Sequence, residues 1–121
     1  MNGRSYRIAP RVRGKVWLEA DGRFALGDGG VRLLQAIEEA GSIRAAAQLL
    51  GWSNRHALAY IDNAERMLDE VLVARTRGGN DRGGARLTET GRDFVRRYGR
   101  FRVALDGALH RLYESAFPRR R

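Results

Sequence analysis

Cysteine is absent from the 121 residues. No disulfide framework and no thiolate metal site can be built, which fits a reducing cytoplasm. Histidine is scarce: His56 and His110 are the only two. Nucleophilic catalysis needs a nucleophile, a base and an orienting group brought together. A metal site needs neutral histidines or paired carboxylates at ligand spacing. Neither pattern stands out, so no enzyme, no metal and no cofactor is expected. Long apolar runs are missing as well. Nothing approaches the ~18 residues of a membrane span, and "MNGRSYRIAPRVRGK" lacks the apolar stretch of a secretion signal. Glycine is third rather than second, so the myristoylation pattern fails. The expectation is a cytoplasmic chain with no membrane attachment.

Lysine is nearly missing too: Lys15 is the only one among 23 basic residues. The rest are arginines, and they carry the formal net charge to +9 and the isoelectric point to about 11.2. Such a balance calls for a polyanionic partner, nucleic acid first and an acidic membrane second. Arginine is the better bidentate partner for phosphate and guanine; the codon habit of a GC-rich genome is the other source of such a bias. A hydrophobic fraction of 43% is enough for one core in a chain of this length. One domain is expected over residues 11–117, with 1–10 and 118–121 as flexible tails.

Periodicity supplies the elements. In "RVRGKVWLEA", Val12, Gly14, Val16, Leu18 and Ala20 alternate with Arg11, Arg13, Lys15 and Glu19, which predicts a half-buried strand over 11–20. Trp17 breaks the polar face and calls for something to cover it. Asp21-Gly22 is a hairpin turn, with "RFAL" returning as a second strand. "DGGVRLLQAIEEAG" repeats apolar residues at helical spacing and stops at Gly41. "SIRAAAQLLG" is a shorter helix with Ser42 as N-cap and Gly51 as stop, its alanines small enough for another helix to approach closely. "SNRHALAYIDNAERMLDE" is a third helix, capped by Ser53, with Ala57, Ile61, Ala64 and Leu68 as its inner stripe. Asp62, Glu65, Asp69 and Glu70 read as a solvated face with local pairs to residues such as Arg66.

"VLVARTR" and "ARLT" read as two strands around a glycine-rich stretch, Gly78 to Gly84. A long helix follows to Phe117, capped by Thr88 or Thr90. Phe94, Tyr98, Phe101, Leu105, Ala108, Leu112 and Ala116 step along it by threes and fours, a near-heptad seam bordered by Leu109. Gly99 and Gly107 inside it mark close helix approach or a bend. The fold class is therefore mainly α with small β-hairpins: a winged helix-turn-helix with an N-terminal β-hairpin and a long C-terminal dimerisation helix. The seam either joins two copies or packs on its own domain.

The glycine-rich stretch has three readings. Gly78 and Gly83 match the glycine spacing of a phosphate-binding loop, but Gly84 and Ala85 stand where that motif needs Lys and Ser/Thr. A bare linker is a poor fit between two strands. The tip of a hairpin, a wing, fits the flanks. On double-stranded DNA the third helix would enter the major groove by its first turn. Asn54, Arg55 and His56 sit there, with Ser53 and the helix N-terminus favouring a phosphate. Arg55 and His56 either read base edges or touch phosphate alone. Tyr60 is either core edge or DNA contact. Ser42 and Arg44 add phosphate contacts, and Arg77, Asn80, Arg82 and Arg86 of the wing reach phosphate or the minor groove, or serve as a soluble loop.

"GSIRAAAQLLGWSNRHALAYIDNAERML" and "LVARTRGGNDRGGARLTETGR" resemble the N-terminal DNA-binding domain of the molybdate-responsive regulators of the ModE family, and more distantly the LysR-type winged helix. The resemblance runs roughly from Val16 to Tyr113. It rests on the Gly-Ser-Ile opening, Ala46, Gly51, Ser53, the Gly-Gly of the wing and "LT…GR" after it. It implies a homodimeric transcription factor whose third helix reads an operator through Ser53, Asn54, Arg55, His56 and Tyr60, with Arg77 to Arg86 touching neighbouring DNA. Operators are usually read by symmetric dimers, so a homodimer is expected through the seam at Phe94, Tyr98, Phe101, Leu105, Leu109 and Leu112, consistent with the family's dimerisation through its N-terminal domain. The resemblance also points towards genes of molybdenum uptake or molybdoenzymes. Asn54 stands where the family often has an aromatic, Leu58 where it often has Trp, and Asn80-Asp81-Arg82 where its wing runs in glycine and lysine, so the family's operator sequence is not carried over. The family binds molybdate in C-terminal modules, and eight residues follow Tyr113. No molybdate site is expected in this chain. Two other functions stay open on the residues alone: a non-specific nucleic-acid binder, architectural or RNA-binding, and a small oxyanion sensor.

Overall fold

The computed structural model describes residues 10–76 and 83–118. Val16–Tyr98 form one compact unit, and the described residues before Val16 and after Tyr98 form a second. The first begins with a hairpin of β1 (Trp17–Ala20) and β2 (Arg23–Gly27). Asp21 and Gly22 both take positive φ, 52° and 75°, as a two-residue turn requires when it follows the strand twist. Burial alternates from Arg11 to Ala20 as the pattern predicts, yet the ladder starts only at Trp17. The reason is the partner: β2 ends at Gly27, which lies opposite Trp17, so residues 11–16 have no strand to pair with among the described residues. The register slips between Leu18 and Glu19, leaving Ala25 as an extra residue on β2. This bulge lets the neighbours Ala25 and Leu26 both be buried, at 0% and 1% exposure, where a regular strand would turn one outward. Trp17 is not covered: it is 54% exposed, and its indole N–H donates to Glu19 Oε2 at 2.9 Å.

Three helices follow: α1 (Asp28–Ala40), α2 (Ile43–Leu50) and α3 (Asn54–Leu68). Gly41 and Gly51 end the first two in the left-handed region. Ser42 and Ser53 start the next two, their hydroxyls accepting the N–H of Ala45 and His56, each at 3.0 Å. Leu33, Leu34 and Ile37 of α1 and Ile61 of α3 are fully buried, and Ala46, Ala47, Ala57 and Ala64 let the helices close on one another. α3 stops two residues before the expected end, with Asp69 as a left-handed cap at φ 53°.

The second hairpin, β3 (Val73–Arg75) and β4 (Ala85–Leu87), is shorter than its apolar runs suggest. Its outer N–H groups are taken by side chains and turns rather than strands. Glu65 Oε2 accepts from Leu72 and Val73, at 2.7 and 3.0 Å, Glu38 Oε2 accepts from Leu87 at 2.9 Å, and Gly41 O accepts from Ala85 at 2.8 Å. The acidic cluster on α3 is thus not simply a solvated face. Asp62 pairs with Arg75 at 3.0 Å, and Arg66 reaches Asn63 instead. Glu65→Ala leaves two partly buried donors without an acceptor and is expected to cost about 2–3 kcal/mol, read as a lower urea midpoint. Glu70→Ala, at an exposed position, should leave that midpoint within about 0.5 kcal/mol of wild type.

Helix α4 (Glu89–Ala116) begins in the first unit and continues into the second. Thr88, not Thr90, caps it: its Oγ1 accepts from Gly91 at 2.9 Å and donates to Val71 O at 2.7 Å. In the second unit the preceding segment lies along the helix, with Arg102 Nη2 donating to Gly14 O at 3.0 Å and Leu109 against Gly14. The described chain is therefore a winged helix-turn-helix with an N-terminal hairpin and a long last helix, as its periodicity predicts.

Candidate nucleic-acid interface

The turn from α2 to α3 is three residues, Gly51-Trp52-Ser53. Gly51 reverses the chain, Trp52 N–H returns to Ala47 O at 2.8 Å, and Ser53 opens the next helix. The first turn of α3 is thereby aimed outward. Asn54 is half-buried, whereas Arg55 and His56 are exposed. Neither Arg55 nor Arg44 has an ion pair among the described residues.

A cleft of about 230 Å³ brings several of the expected residues together. Arg44 and Asn54 stand on its helical side; Arg75, Thr76, Gly83 and Gly84 stand on its hairpin side; Ile43, Leu58 and Ala85 also line it. Sequence reasoning had missed Arg75 and Thr76. Thr76 closes the base of the wing: its N–H donates to Gly84 O at 2.9 Å, and its Oγ1 accepts from Gly84 at 3.1 Å. A side chain at position 84 would meet that hydroxyl at 2.8 Å, which explains the glycine. Arg86 is exposed on β4. Arg77, Asn80 and Arg82 lie outside the described residues.

Ser42 and Ser53 both spend their oxygen on capping. Their hydroxyl protons, and the unpaired N–H groups of the two helix starts, are what a phosphate would meet. Tyr60 is turned into its own domain. Its hydroxyl accepts the N–H of Gly27 at 2.9 Å, and its ring meets Phe24 edge-on at 5.8 Å. Burial pushes its phenol above the ordinary tyrosine value, while hydrogen bonds from Gly27 and Gly30 pull the other way. The proton is held more tightly in the folded chain, so stability from this contact is complete below about pH 10 and is lost as pH rises through the folded value. Tyr60 is partly buried and packs against the core.

The seam residues separate. Tyr98 is 6% exposed and belongs to the core, its hydroxyl bonded to Asp28 and to Val16 O. Phe94 stacks on Tyr98 and packs against the same core. Leu109 meets Gly14. Phe101 and Leu112 are 47% and 68% exposed, with Leu105 half-buried between them. No Cβ at Gly99 would meet anything within 4 Å, so close approach does not explain that glycine within the chain. No helix is long and apolar enough to cross a membrane, and no three His, Asp or Glu form a metal-binding group, among the described residues.

Residues 30–92 match the family described as bacterial regulatory helix-turn-helix protein, lysR family. The chain is 39% identical over 106 residues to the molybdenum transport protein ModE of Azotobacter vinelandii, a match covering 88% of this chain and 39% of that protein. It is 32% identical over 88 residues to the transcriptional regulator ModE of Yersinia pestis, covering 73% and 34%. It is 33% identical over 92 residues to the molybdenum-pterin-binding protein MopA of Rhodobacter capsulatus, covering 76% and 35%. The chain thus spans less than half the length of these curated relatives. The crystal structure of the CbnR_DBD–DNA complex superposes with a TM-score of 0.57 at 25% identity, covering 73% of this chain and 95% of that one. Fold, helix-turn-helix geometry and these likenesses agree: the chain belongs to the lysR family of bacterial regulatory helix-turn-helix proteins and is ModE-like within it.

Proposed function

We propose that the chain acts as a sequence-specific, homodimeric DNA-binding transcriptional regulator. The observation that carries this reading is the exposed first turn of α3. Arg55 and His56 are exposed there, and Asn54 beside them lines a cleft with Arg44 and the wing base. Arg55 has the fork for guanine N7 and O6, and Asn54 has the paired donor and acceptor for adenine. Arg44, the two helix starts and the wing grip phosphate on either side. A DNA complex of a chain with this fold, and relatives named as regulators, support the reading. The relatives' names extend it to genes of molybdenum uptake or molybdoenzymes.

The test is selection from randomised duplexes followed by footprinting at about 150 mM salt. A specific dimer retains a protected palindrome; a non-specific polyanion binder loses protection everywhere. Arg55→Ala is expected to flatten preference at one base pair per half-site by roughly tenfold. Arg44→Ala should weaken all sequences alike and lower the salt slope by about 0.9 for each protomer's contact. Equal losses on selected and random DNA for both variants would show that α3 reads no bases.

A further inference from the structure

We propose that Trp52 is a positioning residue for base recognition: it holds the His56 imidazole in one orientation at the DNA-facing end of α3. The proposal rests on the reading of α3 as the recognition helix. Trp52 precedes the cap serine Ser53 in the turn between α2 and α3. Three aromatic rings stand at positions 52, 56 and 60, four residues apart on one side of the helix start. The Trp52 and His56 centroids are 4.6 Å apart with a 54° tilt, and Tyr60 meets the His56 ring edge-on at 6.2 Å. Trp52 and Tyr60 also touch each other, at 5.5 Å. His56 is exposed, yet its ring has an aromatic neighbour on two sides.

The two flanking rings are themselves held. Tyr60 is anchored through its hydroxyl to Gly27, and its ring occupies space that a Cβ at Gly30 would take, 2.4 Å from Cε1. Trp52 lies over Gly29, with Cζ2 3.6 Å from where a Cβ would stand. The glycines that open α1 thus form a plate against which Trp52 and Tyr60 rest, and those two rings fix His56. The backbone N–H of His56 is committed to Ser53, so the helix turn beneath the ring is fixed as well. An imidazole that is already oriented loses little freedom on entering the groove, and its contact discriminates bases by direction as well as by proximity.

Base preference of the full chain is measured by selection from randomised duplexes for wild type, His56→Ala, Trp52→Ala and the double variant. Trp52→Ala is expected to flatten preference roughly five- to tenfold at the base pair that His56→Ala flattens, with affinity for random DNA unchanged within about twofold. In the His56→Ala background it should add nothing, because its effect acts through the imidazole. Trp52→Phe retains a stacking ring and should restore the preference, whereas Trp52→Leu keeps the apolar packing and should not. These two variants decide the matter if Trp52→Ala does not fold. Uniform loss across all base pairs, an equal loss with and without His56, or full preference in Trp52→Leu would each overturn the proposal. Failure of the wild type to select any site would instead remove the recognition-helix reading itself.

Discussion

Gly91→Ala is expected to destabilise the domain by about 3 kcal/mol or more, the largest loss from adding a single methyl group at any described glycine. A Cβ there would stand 2.2 Å from Leu72 O and 3.1 Å from Leu72 C. Those are backbone atoms and cannot rotate away. The Leu72 carbonyl is also fixed from the other side, since it accepts the N–H of Thr88 at 2.9 Å while Glu65 holds the Leu72 N–H at 2.7 Å. Relief therefore requires moving the first turn of α4 away from the start of β3, which breaks the Thr88 cap and exposes Leu72, a residue 1% exposed. No side-chain substitution at a neighbour restores the space. At roughly 4–8 °C per kcal/mol for a domain of this size, the melting temperature should fall on the order of 15 °C. Gly99→Ala supplies the opposite sign. It sits in the same helix with nothing within 4 Å of the new methyl, so it should gain about 0.5–1 kcal/mol from helix propensity. Thermal melts of the two variants read both effects. A Gly91→Ala midpoint within a few degrees of wild type would show that α4 is not seated on the Leu72 carbonyl.

Gly91 also shows where sequence reading ends. The glycine of "LT…GR" contributed to the family resemblance, but nothing in the pattern says that a carbonyl nineteen residues earlier fills the place of its side chain. Caps and turns were legible because their partners are close in the chain: Ser42 with Ala45, Ser53 with His56, Asp21 with Gly22. Periodicity told which face of α1 and α3 is buried, because burial depends on direction alone. It did not tell which atom a polar side chain meets. Tyr60 reaches Gly27 across 33 positions and Glu38 reaches Leu87 across 49. Asn63 donates to Phe24 O across 39 positions. Glu65 has the same composition signal as exposed Glu70, and only the arrival of residues 72 and 73 makes it an acceptor. The candidate site divides in the same way. Arg44, Asn54, Arg55 and His56 were legible from the helix start, whereas Trp52 becomes relevant only once its ring is seen over His56.

Leu112→Asp is expected to convert the proposed dimer to monomers and to weaken binding to a palindromic site by a hundredfold or more. One side of α4 is already covered within the second unit. Arg102 and Leu109 are engaged by Gly14, and Asp106, His110 and Tyr113 line a cavity of about 320 Å³ with Pro10, Arg11 and Val12. Those residues share one side of α4. Phe101, Leu105, Ala108 and Leu112, stepping by four, three and four, share another, and Leu112 is 68% exposed there. Of the six residues expected at the seam, Phe94 and Tyr98 are spent on the core and Leu109 on Gly14; Leu105 and Leu112, with Phe101 47% exposed on the same side, form the stripe a second copy would meet. A carboxylate placed in that stripe must be desolvated by the partner helix, which costs several kcal/mol. A monomer then binds one half-site at a time and loses the effective concentration that joins two half-sites, typically a factor of 10²–10⁴. Because Leu112 is exposed in the single chain, the variant should melt within a few degrees of a wild-type monomer, whereas Leu109→Asp should unfold the contact with Gly14. Sedimentation at micromolar concentration reads the association, and titration of a selected palindrome reads the affinity. A folded Leu112→Asp dimer with undiminished affinity would place the interface elsewhere on the chain.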